Sequence, residues 1–330
     1  MSVKLSVIIP TRNRSRLLRK ALNSLVHQTL PADQFEVIVV DNGSTDDTQI
    51  ICAEFQPLIP NMRCLYEKKA GLHVGRHAGL KASEGEVLVY GDDDIRAFPT
   101  WLEGVAEGFN DSDVGLLGGK ALPDFEGSPP TWLHNLWGKT PWGNILPYYS
   151  VLDFGDDIQV IDPLYVWGCN FCIRKSLLEA IGGFHPDGMP QELIRYRGDG
   201  ETAVSIEVKK SGYKTIYHPS ASVHHFVSKK RMTHDYLRHR AYAQGISDSY
   251  TRIRAAGGLP PLGSIHASLA GFKVRFKARG HAWLHGDRIP GMISQAYWSG
   301  FIFHHREVVN DSDLLACQIC LINQQLFQHC

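Results

Sequence analysis

The sequence predicts an α/β fold: a doubly wound mixed sheet over residues 1–228, followed by a mainly helical C-terminal extension over 229–330. Three observations carry this expectation. Strand-like and helix-like apolar patterns alternate over the first ~120 residues. The strand-like runs are apolar throughout, as in parallel strands buried on both faces. Pro10-Thr11, Asp41 and Asp92–Asp94 fall at the carboxyl ends of such runs, where ligands of doubly wound sheets bind.

The elements follow in order. Leu5–Ile9 is a continuous apolar run ended by Pro10, and Leu17, Leu18, Ala21, Leu22, Leu25 and Val26 then recur at helical spacing. Phe35–Val40 is the second strand, closed by Asp41-Asn42-Gly43-Ser44, and a short helix follows from Asp46 to Phe55. Arg63–Tyr66 is a third strand. Val74–Ala82 is a helix near which Gly71, Gly75 and Gly79 recur every four residues. Glu86–Tyr90 is a fourth strand running into Gly91-Asp92-Asp93-Asp94, with a helix over Thr100–Phe109 and a strand over Val114–Leu117 behind it. Residues 120–165 lose periodicity and carry many Pro, Gly and Trp, so they read as irregular. Val166–Ile173, Lys214–Tyr217 and Ala221–His224 read as strands, Lys175–Ile181 and Thr202–Lys210 as helices. Beyond ~230 the pattern is helical, broken near Gly257-Gly258 and Pro260-Pro261.

Composition narrows the function classes. Hydrophobic residues make up 43% of the 330 and charged residues 21%, which excludes a wholly disordered chain, a collagen or a coiled coil. The net charge is zero, a poor match to a dedicated nucleic-acid binder. The zero hides an asymmetry. Residues 1–228 hold 21 basic and 28 acidic groups, whereas residues 229–279 hold 11 basic and 2 acidic. A basic belt of this kind suits an anionic lipid surface or substrate, or else is a solvated helical face. No stretch reaches the ~18 apolar residues that cross a bilayer. The opening MSVKLSVIIPTRNR lacks a long apolar core, which argues against a secretory signal and for a cytoplasmic protein, with peripheral contact at the inner face of the membrane open to the belt. Cys169/Cys172 and Cys317/Cys320 have CxxC spacing but lie in apolar runs, and they read as buried free thiols rather than zinc ligands.

Chemistry concentrates in the acids. Three adjacent carboxylates, Asp92–Asp94, crowd like charge that a divalent cation such as Mg²⁺ or Mn²⁺ would offset, held together with substrate phosphates. Asp41 can accept hydrogen bonds from a base or a ribose, or else close a turn; a cap supplied by Ser44 or Thr45 to the next helix would leave it for ligand. Neither GxxxxGK[ST] nor a GxGxxG after a strand is present, so phosphate would rest on metal and on Arg76 or Arg12.

The blocks VIIPTRNR, VDNGSTDDT, AGLHVGRHAGLKASEGEVLVYGDDDI, WGCNFCIRKSLLEAIGGFHP and GDGETAVSIEVKKSGYKTIYHPSASVHH, in this order and spacing, resemble the family 2 glycosyltransferases over about residues 3–225. The resemblance implies a GT-A-type fold, with a nucleotide-sugar half over 1–120 and an acceptor half over 121–228. It implies inverting transfer of a sugar from a nucleotide diphosphate sugar, usually a UDP-sugar, to a hydroxyl of a carbohydrate or lipid-linked acceptor in cell-surface glycan synthesis. Pro10, Thr11 and Arg12 would line the nucleotide pocket and Asp41 would contact the base. Asp92 and Asp94 match the ends of the metal-binding DxD motif, and a shifted alignment makes Asp93 the ligand. The family's base lies about eleven residues before a Gly-aromatic pair; counting back from Gly212-Tyr213 gives Glu201, with Asp199 two residues earlier. The common Glu-Asp pair is here Gly198-Asp199-Gly200-Glu201, and Asp199 is preferred as base with Glu201 as helper. His224 or His225 would reach the metal or diphosphate, since only one of two neighbours in a strand can face the site. His77 stands where the family often has Asn. Trp132, Trp137 and Trp142 are candidates for acceptor contact or for a packed lid. A sugar-1-phosphate nucleotidyltransferase lacks its glycine-rich loop here, and an inactive sugar-nucleotide-binding protein is the remaining rival.

Overall fold

A computed structural model describes residues 4–259 and 288–320. Among these, one compact unit takes in the residues up to His185 together with Gly200–Val227, and a second takes in Pro186–Asp199 and the residues from Ser228 onward.

The first unit is built on an eight-stranded sheet. Its strands β1 (Leu5–Thr11), β2 (Phe35–Asp41), β3 (Met62–Tyr66) and β4 (Val87–Gly91) are mutually parallel, in the order β4-β1-β2-β3. Every residue of β1 and β4 is buried, which explains why those runs are apolar without alternation. The crossovers are α1 (Ser15–Val26), α2 (Thr48–Phe55) and α3 (Leu72–Ala82). The glycine spacing in α3 has a packing cause: a Cβ at Gly79 would overlap Ile8, and one at Gly75 would stand 3.0 Å from Pro10 Cβ, so the helix lies close on β1. Register sets Thr11 opposite Asp41, and Asp92–Asp94 follow β4 at the same carboxyl edge.

A second sheet completes the unit. Its strands are β5 (Ile95–Ala97), β7 (Ala121–Phe125), β8 (Gly138–Lys139), β9 (Asn144–Leu146), β10 (Val151–Asp153) and β14 (Val223–Val227), in the order β5-β14-β7-β10-β9-β8. Four of these lie in the stretch expected to be irregular. They have two to five residues each, too short for an alternating pattern to show. The remaining strands of the first sheet are β6 (Val114–Gly118), β11 (Gln159–Val160), β12 (Asn170–Arg174) and β13 (Lys214–Tyr217). β12 runs antiparallel to β4 and β6 and starts four residues later than Val166, because Pro163–Tyr165 form a 3₁₀ turn ahead of it. Helices α4 (Trp101–Gly108), α5 (Lys175–Ile181) and α6 (Glu201–Ser211) belong to the same unit.

The second unit contains α7 (His234–Ala255), α8 (Ile289–Asn310) and α9 (Ser312–Cys320). α7 and α8 pack through reciprocal glycines: a Cβ at Gly245 would overlap the Tyr297 carbonyl, and one at Gly300 the Tyr242 carbonyl. α7 ends before Gly257 and Gly258, both with positive φ; Pro260-Pro261, and with them Lys273, Arg275, Lys277 and Arg279 of the basic belt, lie outside the described residues. Among the described residues, no helix is long and apolar enough to cross a membrane.

Candidate active site

The loop after β4 presents its three carboxylates in two directions. Asp92 and Asp94 turn toward His225 of β14, and one ligand atom from each of the three lies within 4.8 Å of the others. Asp93 turns the other way. Its Oδ2 accepts the Thr11 hydroxyl at 2.7 Å, and its Oδ1 meets Arg14 Nη1 at 2.7 Å. Arg14 also reaches Asp94 Oδ2 through Nη2 at 2.6 Å, so one guanidinium spans two neighbouring carboxylates. Burial pushes the Asp93 carboxyl up to about 7; Arg14 opposes that rise and Asp94 adds to it. Desolvation disfavours charge on Arg14, but Asp93 and Asp94 outweigh it and hold the guanidinium charged.

β14 decides which histidine joins the acids. Its residues alternate between faces, and its antiparallel pairing with β5 sets His225 opposite Ile95, just after Asp94. His225 Nε2 stands 3.3 Å from Asp94 Oδ1, while Nδ1 bonds the Tyr149 carbonyl at 2.7 Å. A carbonyl can only accept, so Nδ1 carries a proton, and Nε2 is the ring nitrogen that faces the acids. His224 points to the opposite face, its ring stacked on Phe98 at 4.9 Å between centroids. Two carboxylates and an imidazole nitrogen form a donor set suited to Mn²⁺ or Mg²⁺. Asp92 is 31% exposed at its side chain, yet the surrounding protein and then Asp94 raise its carboxyl above the ordinary range, with Arg76 and His225 pulling against them. A cation between these groups would relieve that repulsion.

Arg76 of α3 forms the other wall. Its side chain is 3% exposed, lies over the Phe184 ring at 5.0 Å, and reaches Glu201 Oε2 at 3.2 Å and Asp92 Oδ1 at 4.0 Å. The Gly168 N–H donates to Glu201 Oε1 at 3.2 Å, and a side chain at Gly168 would overlap Arg76. Glu201 thus holds Arg76 at the first turn of α6. His77 accepts the Phe184 N–H at 2.9 Å, and desolvation, then the nearby His73, push its ring down to about 4.

Asp41 is fully buried and bound by its own loop. Oδ1 accepts the Ser44 N–H at 2.8 Å and Oδ2 accepts the Gln49 amide. At the start of α2 the Thr48 N–H and hydroxyl go to Asp46 Oδ1, the N-cap residue Asp47 makes no side-chain cap bond, and neither Ser44 nor Thr45 caps the helix. Ser44 and Thr45 instead bond Asn13, a left-handed residue with φ 54°, and tie the loop after β2 to the loop after β1. Pro10 is buried under Gly75, Thr11 is buried on Asp93, and Arg12 is exposed. Asp199 belongs to the second unit, where its Oδ2 accepts the Thr251 hydroxyl of α7 at 2.6 Å.

Sequence reasoning did not single out Arg14, Tyr149 or Phe184. Arg14 stood in the quoted TRNR block, but a loop arginine gives no sign of its partners. The Tyr149 carbonyl is a backbone group invisible to any motif. Trp142 packs on Tyr165 and Phe154 and donates to the Val160 carbonyl; Trp137 is 37% exposed. Cys169 and Cys172 are buried free thiols, and burial pushes the Cys172 thiol up, away from the thiolate a zinc site needs. The side chains of Cys317 and Cys320 lie outside those described.

Comparison with known proteins adds three findings. A model of glycosyl transferase family 2 matches residues 6–182. The glycosyltransferase AglE of Haloferax volcanii is 36% identical over 115 residues, which is 34% of this chain and 38% of that one. A validoxylamine A glucosyltransferase of Streptomyces hygroscopicus is 26% identical over 200 residues, 56% and 47% of the two chains. The matched part therefore spans less than half the length of either relative. In structure, the mannosyltransferase PcManGT of Pyrobaculum calidifontis, solved with GDP-Man and Mn²⁺, superposes with a TM-score of 0.57 at 18% identity, covering 98% of this chain and 86% of that one; the likeness is one of fold.

Proposed function

Since the chain belongs to glycosyl transferase family 2 and has a GT-A-type fold, we propose that it transfers a sugar, with inversion, from a nucleoside diphosphate sugar to an acceptor hydroxyl. The observation that carries this reading is the convergence of Asp92, Asp94 and His225 at the carboxyl edge of the nucleotide-type sheet, beside the buried Arg76. Those three residues would hold Mn²⁺ or Mg²⁺, which when bound supplies Lewis-acid stabilisation of the departing diphosphate. Arg76 adds fixed positive charge at the same place, held there by Glu201. Pro10, Thr11, Arg12 and Asp41 are assigned to the nucleotide, with uridine as the first base to test.

The acceptor oxygen must lose its proton as it attacks the anomeric carbon from the side opposite the diphosphate. Asp199 is the proposed base. The choice follows its place in the Gly198-Asp199-Gly200-Glu201 run and the engagement of both Glu201 oxygens by Arg76 and Gly168. The acceptor is a carbohydrate or lipid-linked hydroxyl, with the basic segment 229–279 as a contact for an anionic surface.

The test is to incubate the protein with Mn²⁺ and a panel of UDP- and GDP-sugars and to follow nucleoside diphosphate. Release that falls about a hundredfold in Asp94→Ala and in Asp199→Asn agrees with the assignment. Wild-type rates in both variants would remove it. Pyrophosphate in place of nucleoside diphosphate would point to nucleotidyl transfer, and binding without turnover to an inactive carrier.

A further inference from the structure

The buried Arg76 of the candidate site has a neighbour on α3, His77, that reaches the same loop from another side. All the groups concerned belong to the first unit. After α5 the chain turns through Gly182 and Gly183, whose φ values of 93° and 86° lie in the left-handed region that favours glycine. The next residue, Phe184, donates its N–H to His77 Nε2 at 2.9 Å. A Cβ at Gly183 would overlap that same nitrogen, so glycine lets the backbone come this close to the ring. A backbone N–H can only donate, so Nε2 accepts and the imidazole is neutral.

Phe184 carries that anchor to Arg76. Its ring is buried, edge-on to Tyr90 of β4 at 4.9 Å between centroids and to Phe171 of β12 at 5.6 Å. The Arg76 guanidinium lies over the same ring, 5.0 Å from its centroid. Glu201 Oε2 meets Arg76 Nη1 at 3.2 Å, and the Tyr90 hydroxyl donates to the Arg76 carbonyl at 3.4 Å. Glu201 therefore holds one nitrogen of the guanidinium, and Phe184 backs the group. An ion pair at one nitrogen leaves a guanidinium free to pivot, and a fixed ring against it restricts the pivot.

We infer that His77 is a positioning residue for sugar transfer: by pinning the Phe184 backbone it fixes the ring that aims Arg76 at the diphosphate. The inference rests on the reading of Arg76 as the protein's fixed cation for that group. His77 acts through Phe184 and makes no contact with donor or metal in this account. Without the acceptor at Nε2, the N–H of a buried residue loses its partner, and the loop moves to satisfy it. Gly182 and Gly183 resist such a movement little, because glycine bars few conformations. The ring then shifts and the guanidinium regains its pivot. A charge stabilises a phosphate best when it needs no reorganisation, so the cost falls on the second phosphate rather than on the base.

The test is titration calorimetry of the full chain in Mn²⁺, with UDP and GDP each compared with its monophosphate. The ratio of the two affinities isolates the second phosphate. His77→Leu removes the acceptor and keeps an apolar side chain of similar bulk. It is expected to lower diphosphate affinity about tenfold and to leave monophosphate affinity within about twofold, the scale of one lost hydrogen bond. His77→Gln returns an acceptor near the place of Nε2 and should restore the ratio. Phe184→Leu removes the ring at the far end of the same route and should match His77→Leu, so the question does not hang on one variant folding. Arg76→Ala separates the inference from the reading beneath it. A ratio unchanged in Arg76→Ala would overturn that reading and the inference with it. A ratio that falls in Arg76→Ala but keeps its wild-type value in His77→Leu would overturn the inference alone, as would equal weakening of monophosphate and diphosphate. A fall in His77→Leu without one in Phe184→Leu would overturn the route through the ring.

Discussion

His225 and Arg14 divide the work of presenting Asp94. Arg14 takes Oδ2 at 2.6 Å, and His225 Nε2 faces Oδ1 at 3.3 Å, with its Nδ1–H held by the Tyr149 carbonyl. Removing either should be felt at the metal by different routes. His225→Ala deletes a donor, and Arg14→Gln frees the carboxylate to rotate. Mn²⁺ affinity, read from the free-Mn²⁺ electron paramagnetic resonance signal, is expected to fall about ten- to a hundredfold in each. Arg14→Lys should recover part of it, since the charge returns without the two-pronged geometry. Equal Mn²⁺ affinity in wild type and His225→Ala would show that the imidazole is not a ligand. At this scale the place of the acid triplet, at the carboxyl end of a buried strand, was legible from the apolar run that precedes it. The split between Asp93 and its neighbours was not, because loop backbone directions are set by Thr11 and Arg14. The choice between His224 and His225 turned on how β14 pairs with β5, a long-range contact no local pattern encodes.

Elements whose period ran long enough were readable: the β1–β4 strands and α1 to α3 fall close to where apolar spacing places them. The short strands β7 to β10 are stabilised by their partners rather than by their own residues, so their sequence carries no matching signal. In the second unit, α7 and α8 bury a polar contact that makes its own prediction. His304 is fully buried; its Nδ1 meets Ser249 Oγ at 2.9 Å and its Nε2 the Gln318 amide nitrogen at 3.0 Å. An amide N–H can only donate, so Nε2 accepts and the ring is neutral. Burial, then His305, push it down to about 4. The unfolded chain binds this proton near pH 6.5 and the folded one does not, so the contribution is complete above 6.5 and is lost as pH falls toward 4. The stability at stake is about 3 kcal/mol. Urea midpoints of wild type should fall between pH 6.5 and 4, and those of His304→Gln should fall less; parallel curves would refute the neutral buried ring.

The whole molecule places its acids and bases apart along the chain. The sequence through residue 228 carries 28 acidic groups against 21 basic ones, and the acids include Asp92, Asp93, Asp94 and Glu201 around the candidate site. Arg14 and Arg76 offset part of that charge from within the first unit, and a divalent cation is the natural complement for the rest. Binding of cation and nucleoside diphosphate should therefore be mutually dependent. Titration calorimetry of UDP and GDP, with and without Mn²⁺, tests this most directly. The account predicts that Mn²⁺ tightens binding of at least one of them by about tenfold or more in wild type, a coupling of roughly 1.4 kcal/mol, and that the enhancement disappears in Asp94→Ala. Nucleotide binding that is equally tight without Mn²⁺, or an enhancement that survives in Asp94→Ala, would contradict it.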